Sequence, residues 1–180
     1  MSDEQRRAAS ALACARLGAL EAFGHASMVM LYMPLPREVD LTALAIACFR
    51  SGKSVCVPVV DWARRDMRPV EVASFDDHVM ELDEHGLRRP REEGRPIVPA
   101  TIDLVVLPGL AFDASGRRLG RGGGFYDRFL ARLGRGCTTI GLAFEQQVVD
   151  LVPATANDRA VDILVTDRRV THAGPSQSPH

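Results

Sequence analysis

The chain has 180 residues, of which 46% are hydrophobic, and its 22 basic residues are balanced by 23 acidic ones for a net charge of −1. This length and composition predict one soluble globular domain with a sizeable core. Because the basic residues are matched by acids and form no long run, we expect no nucleic acid partner. No signal-peptide pattern and no apolar run near the length of a membrane span stand out, so we expect a cytoplasmic protein with no membrane partner.

The first predicted element is an amphipathic helix over residues 3–23, which Gly24 ends. Its apolar residues recur at three- and four-residue steps and are Ala8, Leu12, Ala15, Ala19 and Phe23. We expect this stripe to be the face that the helix buries.

The next segment predicts a βαβ unit. A short apolar strand covers 27–33, Asp40 caps a second helix over 42–50, and a second strand covers 53–60. Short connections in this order predict two parallel strands with a right-handed crossover.

The middle of the chain is less regular. Residues 67–72 and 78–82 are predicted short strands. The stretch 84–99 is polar, rich in arginine and interrupted by three prolines, so it predicts loops.

The second half predicts the remaining sheet. Residues 103–107 form an apolar run typical of a buried parallel strand, 138–144 a further strand, and 161–166 the last strand. The predicted fold is therefore a single α/β domain over 1–170, with a mostly parallel central sheet flanked by helices. Residues 171–180 are predicted to be a disordered tail. Six residues are expected to be buried in the sheet: Val55, Val57, Val105, Leu107, Ile140 and Leu142.

The four cysteines are Cys14, Cys48, Cys56 and Cys137, which are widely spaced and contain no Cys-x-x-Cys pair. With no clustered histidines either, the sequence indicates neither a zinc site nor a redox motif. Buried, reduced thiols are the expectation.

A glycine-rich segment separates the strand at 103–107 from a helix that begins near Phe125. Glycines are costly in conformational entropy, and four of them fall within 120–124, which makes sense if the backbone approaches a ligand closely. Arg117, Arg118 and Arg121 lie alongside, and together these features suit a polyanion such as a triphosphate. The segment is neither a Walker A loop nor a GxGxxG fingerprint, so the glycines by themselves also allow a flexible structural loop.

The residues around the glycines carry a longer pattern. Residues 107–113 read Leu-Pro-Gly-Leu-Ala-Phe-Asp, and residues 118–128 read Arg-Leu-Gly-Arg-Gly-Gly-Gly-Phe-Tyr-Asp-Arg. This combination resembles the signature of the 5-formyltetrahydrofolate cyclo-ligase (methenyltetrahydrofolate synthetase) family. The resemblance extends over roughly residues 10–167, through Glu38-Val39-Asp40, Gly52-Lys53, Val57-Pro58-Val59 and Asp158.

The resemblance implies an ATP- and Mg2+-dependent ligase of one-carbon metabolism. Such an enzyme converts 5-formyltetrahydrofolate to 5,10-methenyltetrahydrofolate and releases ADP and phosphate. Its mechanism moves the γ-phosphoryl group of ATP to the formyl oxygen, so that N10 attacks the activated carbon before phosphate leaves. This chemistry asks for positioning and charge neutralisation rather than for a nucleophilic side chain.

The resemblance also implies a role for individual residues. Arg118 and Arg121 match the catalytic residues that neutralise phosphate charge, and Asp127 and Asp158 match magnesium ligands. The ATP-binding residues implied are Arg118, Leu119, Gly120, Arg121, Gly122, Gly123, Gly124, Phe125 and Tyr126. The folate-binding residues implied are Met33, Glu38, Arg121, Gly122, Gly123, Gly124, Phe125 and Tyr126, with Glu38 accepting hydrogen bonds from the pterin edge.

Several alternatives stay open. Glu38 and Asp127 each lie near the start of a predicted helix, where an acid also simply complements the helix dipole. Trp62, in a polar loop, is as consistent with a structural role as with ligand contact. The family usually opens with a basic helix bearing Lys-x-x-Leu-Arg that reaches the ATP phosphates, and here only Arg6 and Arg7 are candidates for that task.

The alternative function is a non-catalytic folate- or nucleotide-binding member of the same family. An isomerase or transferase on a similar fold would lack the glycine-rich signature. The expected partners are the small molecules 5-formyltetrahydrofolate and ATP, and the expected assembly is a monomer or weak dimer.

Overall fold

The computed structural model describes residues 1–92, 94–155 and 158–173. Eleven strands are present in these residues: β1 (Met28–Met30), β2 (Ser54–Asp61), β3 (Asp66–Val72), β4 (Met80–Leu82), β5 (Arg88–Pro90), β6 (Leu104–Leu107), β7 (Ala111–Phe112), β8 (Arg118–Leu119), β9 (Thr138–Ala143), β10 (Ile163–Thr166) and β11 (Val170–His172). The α-helices in the same residues are α1 (Asp3–Gly18), α2 (Glu21–His25), α3 (Thr42–Arg50) and α4 (Phe125–Leu130).

A seven-stranded sheet in the order β11-β10-β9-β6-β1-β2-β3 forms the centre of the molecule. The five inner strands are parallel to their neighbours, and the edge strands β3 and β11 are antiparallel. The predicted α/β fold with a mostly parallel sheet is therefore confirmed. All six sheet residues expected to be buried are buried. The pairs β4–β5 and β7–β8 form two separate small hairpins.

Side chains of the inner strands alternate between two apolar layers, as period-two strands require. In β6, Leu104 and Val106 pack in the layer that contains α1 and α3, whereas Val105 and Leu107 pack in the layer that contains Phe129 of α4. Because both faces are covered, the whole of β6 is apolar and buried. No helix in the described residues is long and apolar enough to cross a bilayer.

The first helix differs from the prediction in length and in its buried face. It ends at Gly18, and a separate short helix, α2, follows. Its buried residues are Ala9, Ser10, Ala13, Cys14 and Leu17, while Leu12 is 51% exposed. Small alanines on every side of the helix make several stripes equally plausible in the sequence, and contact with α3 and β10 selects the one that is buried.

The βαβ unit is confirmed, since β1 and β2 pair in parallel with α3 between them. The N-cap residue of α3 is Leu41, which makes no side-chain cap, so the predicted cap at Asp40 is one residue too early. The Asp40 carboxylate still accepts hydrogen bonds from the backbone N–H and the hydroxyl of Thr42, at 2.9 and 2.7 Å.

Four short strands were not predicted: β5, β7, β8 and β11. β5 lies in the stretch predicted as loop, where it pairs with β4 and contacts β2. The hairpin β7–β8 lies inside the glycine-rich signature. β11 follows the strand predicted to be the last and covers the sheet edge at β10. The start of the predicted disordered tail is wrong, because Thr171 and His172 belong to β11 and pair with β10. Residues 174–180 of that tail lie outside the described residues.

Candidate active site

A cleft of about 490 Å³ opens beyond the carboxyl ends of the adjacent parallel strands β1, β6 and β9. The loop after β1 contributes Met33 and Glu38, and the segment between β9 and β10 contributes Asp158. The connection after β6 contributes most of the wall: Arg118, Leu119, Gly120, Arg121, Gly122, Gly123, Gly124, Phe125, Tyr126 and Asp127. The structure thus brings to one cleft every residue to which the resemblance assigned catalysis, ATP, folate or Mg2+, where open α/β sheets bind their ligands. Arg117, which the sequence grouped with Arg118 and Arg121, does not line it.

The glycines of this loop meet two different physical requirements. Gly122 and Gly124 have left-handed φ angles of 82° and 64°, which strain other residues. A Cβ on Gly123 would lie 2.7 Å from the ring of Phe125, and one on Gly120 would lie 3.0 Å from a guanidinium nitrogen of Arg118. The glycine run is therefore needed by the protein's own packing, as well as for any close approach of a ligand.

Arg118 is held inside the cleft, with its side chain only 5% exposed. Its Nη2 lies 3.2 Å from Oδ1 of Asp127, and its guanidinium lies over the ring of Tyr126 at 5.3 Å. Its buried Nε has no hydrogen-bond partner among the described residues. Since a buried donor without a partner is costly, this nitrogen is available to an acceptor oxygen of a ligand.

Glu38 forms the opposite part of the cleft and contacts the glycine-rich loop. Its Oε2 accepts a hydrogen bond from the backbone N–H of Leu35 at 2.9 Å. Its Oε1 lies 3.6 Å from Nη2 of Arg121, whose side chain is 60% exposed against 12% for Glu38. A mostly buried carboxylate is thus paired with a solvent-facing arginine that a ligand can displace.

Tyr126 lies between these charged groups. Burial raises the pKa of its phenol well above the usual value, and the nearby Glu38 carboxylate raises it further while Arg118 partly opposes the effect. The phenol therefore stays neutral and keeps its proton for donation to an oxygen or nitrogen of a ligand.

Asp127 and Asp158 lie on the side of the cleft near Arg118. Hydrogen bonds from the backbone N–H and hydroxyl of Thr155, at 2.6 and 2.9 Å, lower the pKa of Asp158, and the positive charge of Arg118 adds to this. The described residues contain no group of three or more His, Cys, Asp or Glu side chains arranged to hold a metal ion. Two carboxylates on one cleft do fit Mg2+, which takes its other ligands from phosphates and water.

The sequence did not predict the wall formed by the β4–β5 hairpin. Asp83, Leu87, Arg88 and Arg89 line the cleft from this hairpin. Trp62, for which the sequence left ligand contact open, also lines the cleft. The only sequence signal for this wall was a single tryptophan in a polar stretch.

Trp62 links the hairpin to the glycine-rich loop. Its indole N–H donates to Asp83 at 3.0 Å, its ring stacks on His85 at 4.0 Å, and its edge meets Phe125 at 5.4 Å. These contacts give Trp62 a structural role. Trp62 also forms part of the cleft wall.

Arg6 and Arg7, the candidate phosphate contacts at the start of the chain, are not among the residues that line this cleft. Arg6 forms an ion pair with Asp3 and donates to the carbonyl of Met1. In the part of the chain that the structure describes, neither arginine therefore reaches the cleft.

Comparison with known proteins places these features in a family. The model of the 5-formyltetrahydrofolate cyclo-ligase family matches residues 1–167. The chain is 34% identical to a 5-formyltetrahydrofolate cyclo-ligase of Mycolicibacterium smegmatis, over 78% of this chain and 74% of the relative. It is 27% identical to the mouse enzyme of the same name, over 90% of this chain and 84% of the relative.

A solved structure, that of Aquifex aeolicus 5,10-methenyltetrahydrofolate synthetase, superposes with a TM-score of 0.82 at 32% identity, covering 100% of this chain and 89% of the other. The fold, the residues that meet in the cleft and the match along nearly the whole chain agree, and the chain belongs to the 5-formyltetrahydrofolate cyclo-ligase family.

Proposed function

We propose that the protein is a ligase that uses ATP to convert 5-formyltetrahydrofolate to 5,10-methenyltetrahydrofolate, with release of ADP and phosphate. The observation that carries this proposal is that Glu38 and the loop from Arg118 to Asp127 face a single cleft in a chain of this family. The family match supports the catalytic role rather than the non-catalytic binding alternative.

The site suits a reaction that depends on positioning and charge neutralisation. An N-formyl group is a poor electrophile, and transfer of the γ-phosphoryl group to its oxygen converts that oxygen into a leaving group. N10 then attacks the formyl carbon and gives up its proton to water, and the C–O bond breaks as phosphate departs. We assign neutralisation of the phosphate oxygens to Arg118, whose Nε has no partner among the described residues, and to Arg121.

We assign recognition of the pterin to Glu38, whose mostly buried carboxylate has acceptor capacity beyond its bond to Leu35. The pterin would take the place of Arg121 beside this carboxylate. Met33 and Tyr126 are the apolar and aromatic surfaces next to it, on which the ring system packs.

We assign Mg2+ binding to Asp127 and Asp158. When bound, the metal neutralises phosphate charge during phosphoryl transfer. Both carboxylates line the cleft, and Asp127 is already paired with the arginine that we assign to the phosphates. We further expect the protein to act in the cytoplasm on small molecules, as a monomer or weak dimer, which size-exclusion chromatography with light scattering checks.

The direct test follows the absorbance of 5,10-methenyltetrahydrofolate after the purified protein is mixed with 5-formyltetrahydrofolate, Mg2+ and ATP. Product should form only when ATP is present, with one ADP released per product. If folate and ATP each bind, as measured by calorimetry, but no product forms, the binding-module alternative replaces the catalytic one.

A further inference from the structure

Arg128 connects two segments of the cleft that are far apart in the chain. Its Nε and Nη2 donate to the backbone carbonyl of Arg65, at 2.9 and 2.5 Å, and Nη2 also donates to the carbonyl of Gly123 at 2.9 Å. Its guanidinium lies over the ring of Phe125 at 5.3 Å. One planar side chain thus ties the turn between β2 and β3 to the glycine-rich loop.

Both segments carry features that this contact explains. Arg65 is the only residue other than glycine with a positive φ in the described parts of the chain, at 52°. Such a conformation is costly and persists where surrounding contacts hold it, and here Arg128 bonds its carbonyl twice. On the other side, a Cβ on Gly124 would lie 2.8 Å from Nη1 of Arg128. Glycine at this position therefore makes room for the arginine.

The bond to Gly123 also orients the loop. In a planar trans peptide unit, the carbonyl oxygen and the following N–H point in opposite directions. With the Gly123 oxygen turned to Arg128, the N–H of Gly124 points away from the arginine, and the electronegative oxygen is engaged rather than free to face a phosphate. Arg128 itself is not among the residues that line the cleft.

We propose that Arg128 is a positioning residue for nucleotide binding. Its guanidinium group holds the glycine-rich loop and the turn between β2 and β3 that carries Trp62, here called the Trp62 turn, in the arrangement that binds ATP phosphates. The expected change in KM for ATP rests on the proposed function. The structural part of the proposal, that Arg128 fixes the Trp62 turn against the loop, is independent of what the cleft binds.

Arg132 is a matched control on the same side of the molecule. It donates to Asp66 at 3.1 and 2.9 Å and to the carbonyl of Met67 at 2.6 Å, and it lies over the ring of Phe129. It therefore ties the segment after α4 to β3 through as many hydrogen bonds, without touching the glycine-rich loop. Arg132→Ala removes an arginine and its contacts but leaves the fork of Arg128 in place.

The kinetic test measures KM for ATP and KM for 5-formyltetrahydrofolate in both alanine variants. Arg128→Ala should raise KM for ATP by about tenfold or more, as small misplacements of binding groups do, with little change in KM for the folate. Arg132→Ala should leave both constants near those of the unaltered protein. Arg128→Lys should stay impaired, because one ammonium keeps the charge but not the planar fork.

A spectroscopic test needs no ligand. Trp62 is the single tryptophan of the chain and lies on the turn that Arg128 holds. Its fluorescence emission should shift in Arg128→Ala and stay unchanged in Arg132→Ala. If Arg128→Ala does not fold, Arg128→Gln, which retains donor hydrogens on a shorter chain, takes its place in both tests.

The outcomes separate the two proposals. Equal KM for ATP and equal Trp62 emission in Arg128→Ala and Arg132→Ala would overturn the positioning role, and so would full recovery in Arg128→Lys. If the unaltered protein forms no product at all, the proposed function fails, and the Trp62 comparison alone then decides whether Arg128 holds the turn.

Discussion

Glu38 and Arg121 each have a partner in the protein that a ligand must compete with. The Glu38 carboxylate bonds the Leu35 N–H and faces Arg121 at 3.6 Å. Glu38→Gln should weaken folate binding by about 1.5 to 3 kcal/mol, because a neutral amide accepts the donors of the pterin edge less well than a carboxylate. Calorimetric titration with folate and, separately, with a nucleotide measures this. The exposed Glu21→Gln is the control, and an unchanged folate affinity in Glu38→Gln would remove Glu38 from the pterin site.

Arg118 and Asp127 act as a pair in the cleft, since their side chains are 5% and 23% exposed and lie 3.2 Å apart. Arg118→Ala should lower kcat as well as nucleotide affinity, because a charge-assisted contact that strengthens as the phosphoryl group moves is lost.

Asp127→Asn should instead raise the Mg2+ concentration that gives half-maximal rate. Steady-state kinetics over a Mg2+ series checks both. Arg117→Ala, at an exposed neighbouring position, should leave these constants unchanged.

At the scale of elements, the glycine-rich loop is shaped by the helix that it precedes. Gly124 is the N-cap residue of α4 and has a left-handed conformation, and the Phe125 ring occupies the space where a Cβ of Gly123 would lie. Gly123→Val should therefore displace Phe125 and abolish the rise in Tm that ATP gives, because binding to the native state is lost.

Thermal unfolding with and without ATP and Mg2+ measures this effect. Gly136→Ala is the control, since a Cβ there meets no atom within 4 Å. A full ATP-dependent rise in Tm for Gly123→Val would show that the loop does not bind the nucleotide.

At the scale of the whole molecule, the sheet and its helices bury the thiols. Burial raises the pKa of Cys14 and Cys48 from 9.0 to about 11, and that of Cys56 and Cys137 to about 12. Between pH 9 and about 11 the thiols of the unfolded chain ionise while those of the folded chain stay protonated. The free energy of unfolding should therefore fall as pH rises through this window. Below pH 9 the thiols are protonated in both the folded and the unfolded chain, so they should not make the free energy of unfolding depend on pH.

Iodoacetamide labelling at pH 8 with mass spectrometry tests the same burial. Cys14, Cys48 and Cys56 should react slowly in the folded protein and quickly in urea, because the thiolate is the reactive form. Cys137 is half-buried rather than buried as predicted, and it should be the first of the four to react. Rapid labelling of all four in the folded protein would contradict the packing of the sheet.

The sequence by itself determined the parallel sheet, the βαβ unit and the meeting of the loops after β1, β6 and β9 in one cleft, but not the cleft wall formed by the β4–β5 hairpin. These follow from strong local signals: continuous apolar runs such as Leu104–Leu107 require burial on both faces of a sheet, and parallel strands bring the loops after β1, β6 and β9 to one edge. The glycine-rich signature was long enough to indicate the family before any contact was known.

Only the tertiary structure decided the features that depend on contacts between distant segments. The alanine-rich α1 offered several apolar stripes, and packing on α3 and β10 selected one of them. β5 is Arg-Arg-Pro and carries no strand signal, and β11 is only three residues long, so both exist because a neighbouring strand pairs with them. The partners of Arg118, Glu38 and Arg128 likewise lie across turns and loops, where sequence spacing does not reveal which polar groups meet and the fold brings them within hydrogen-bonding distance.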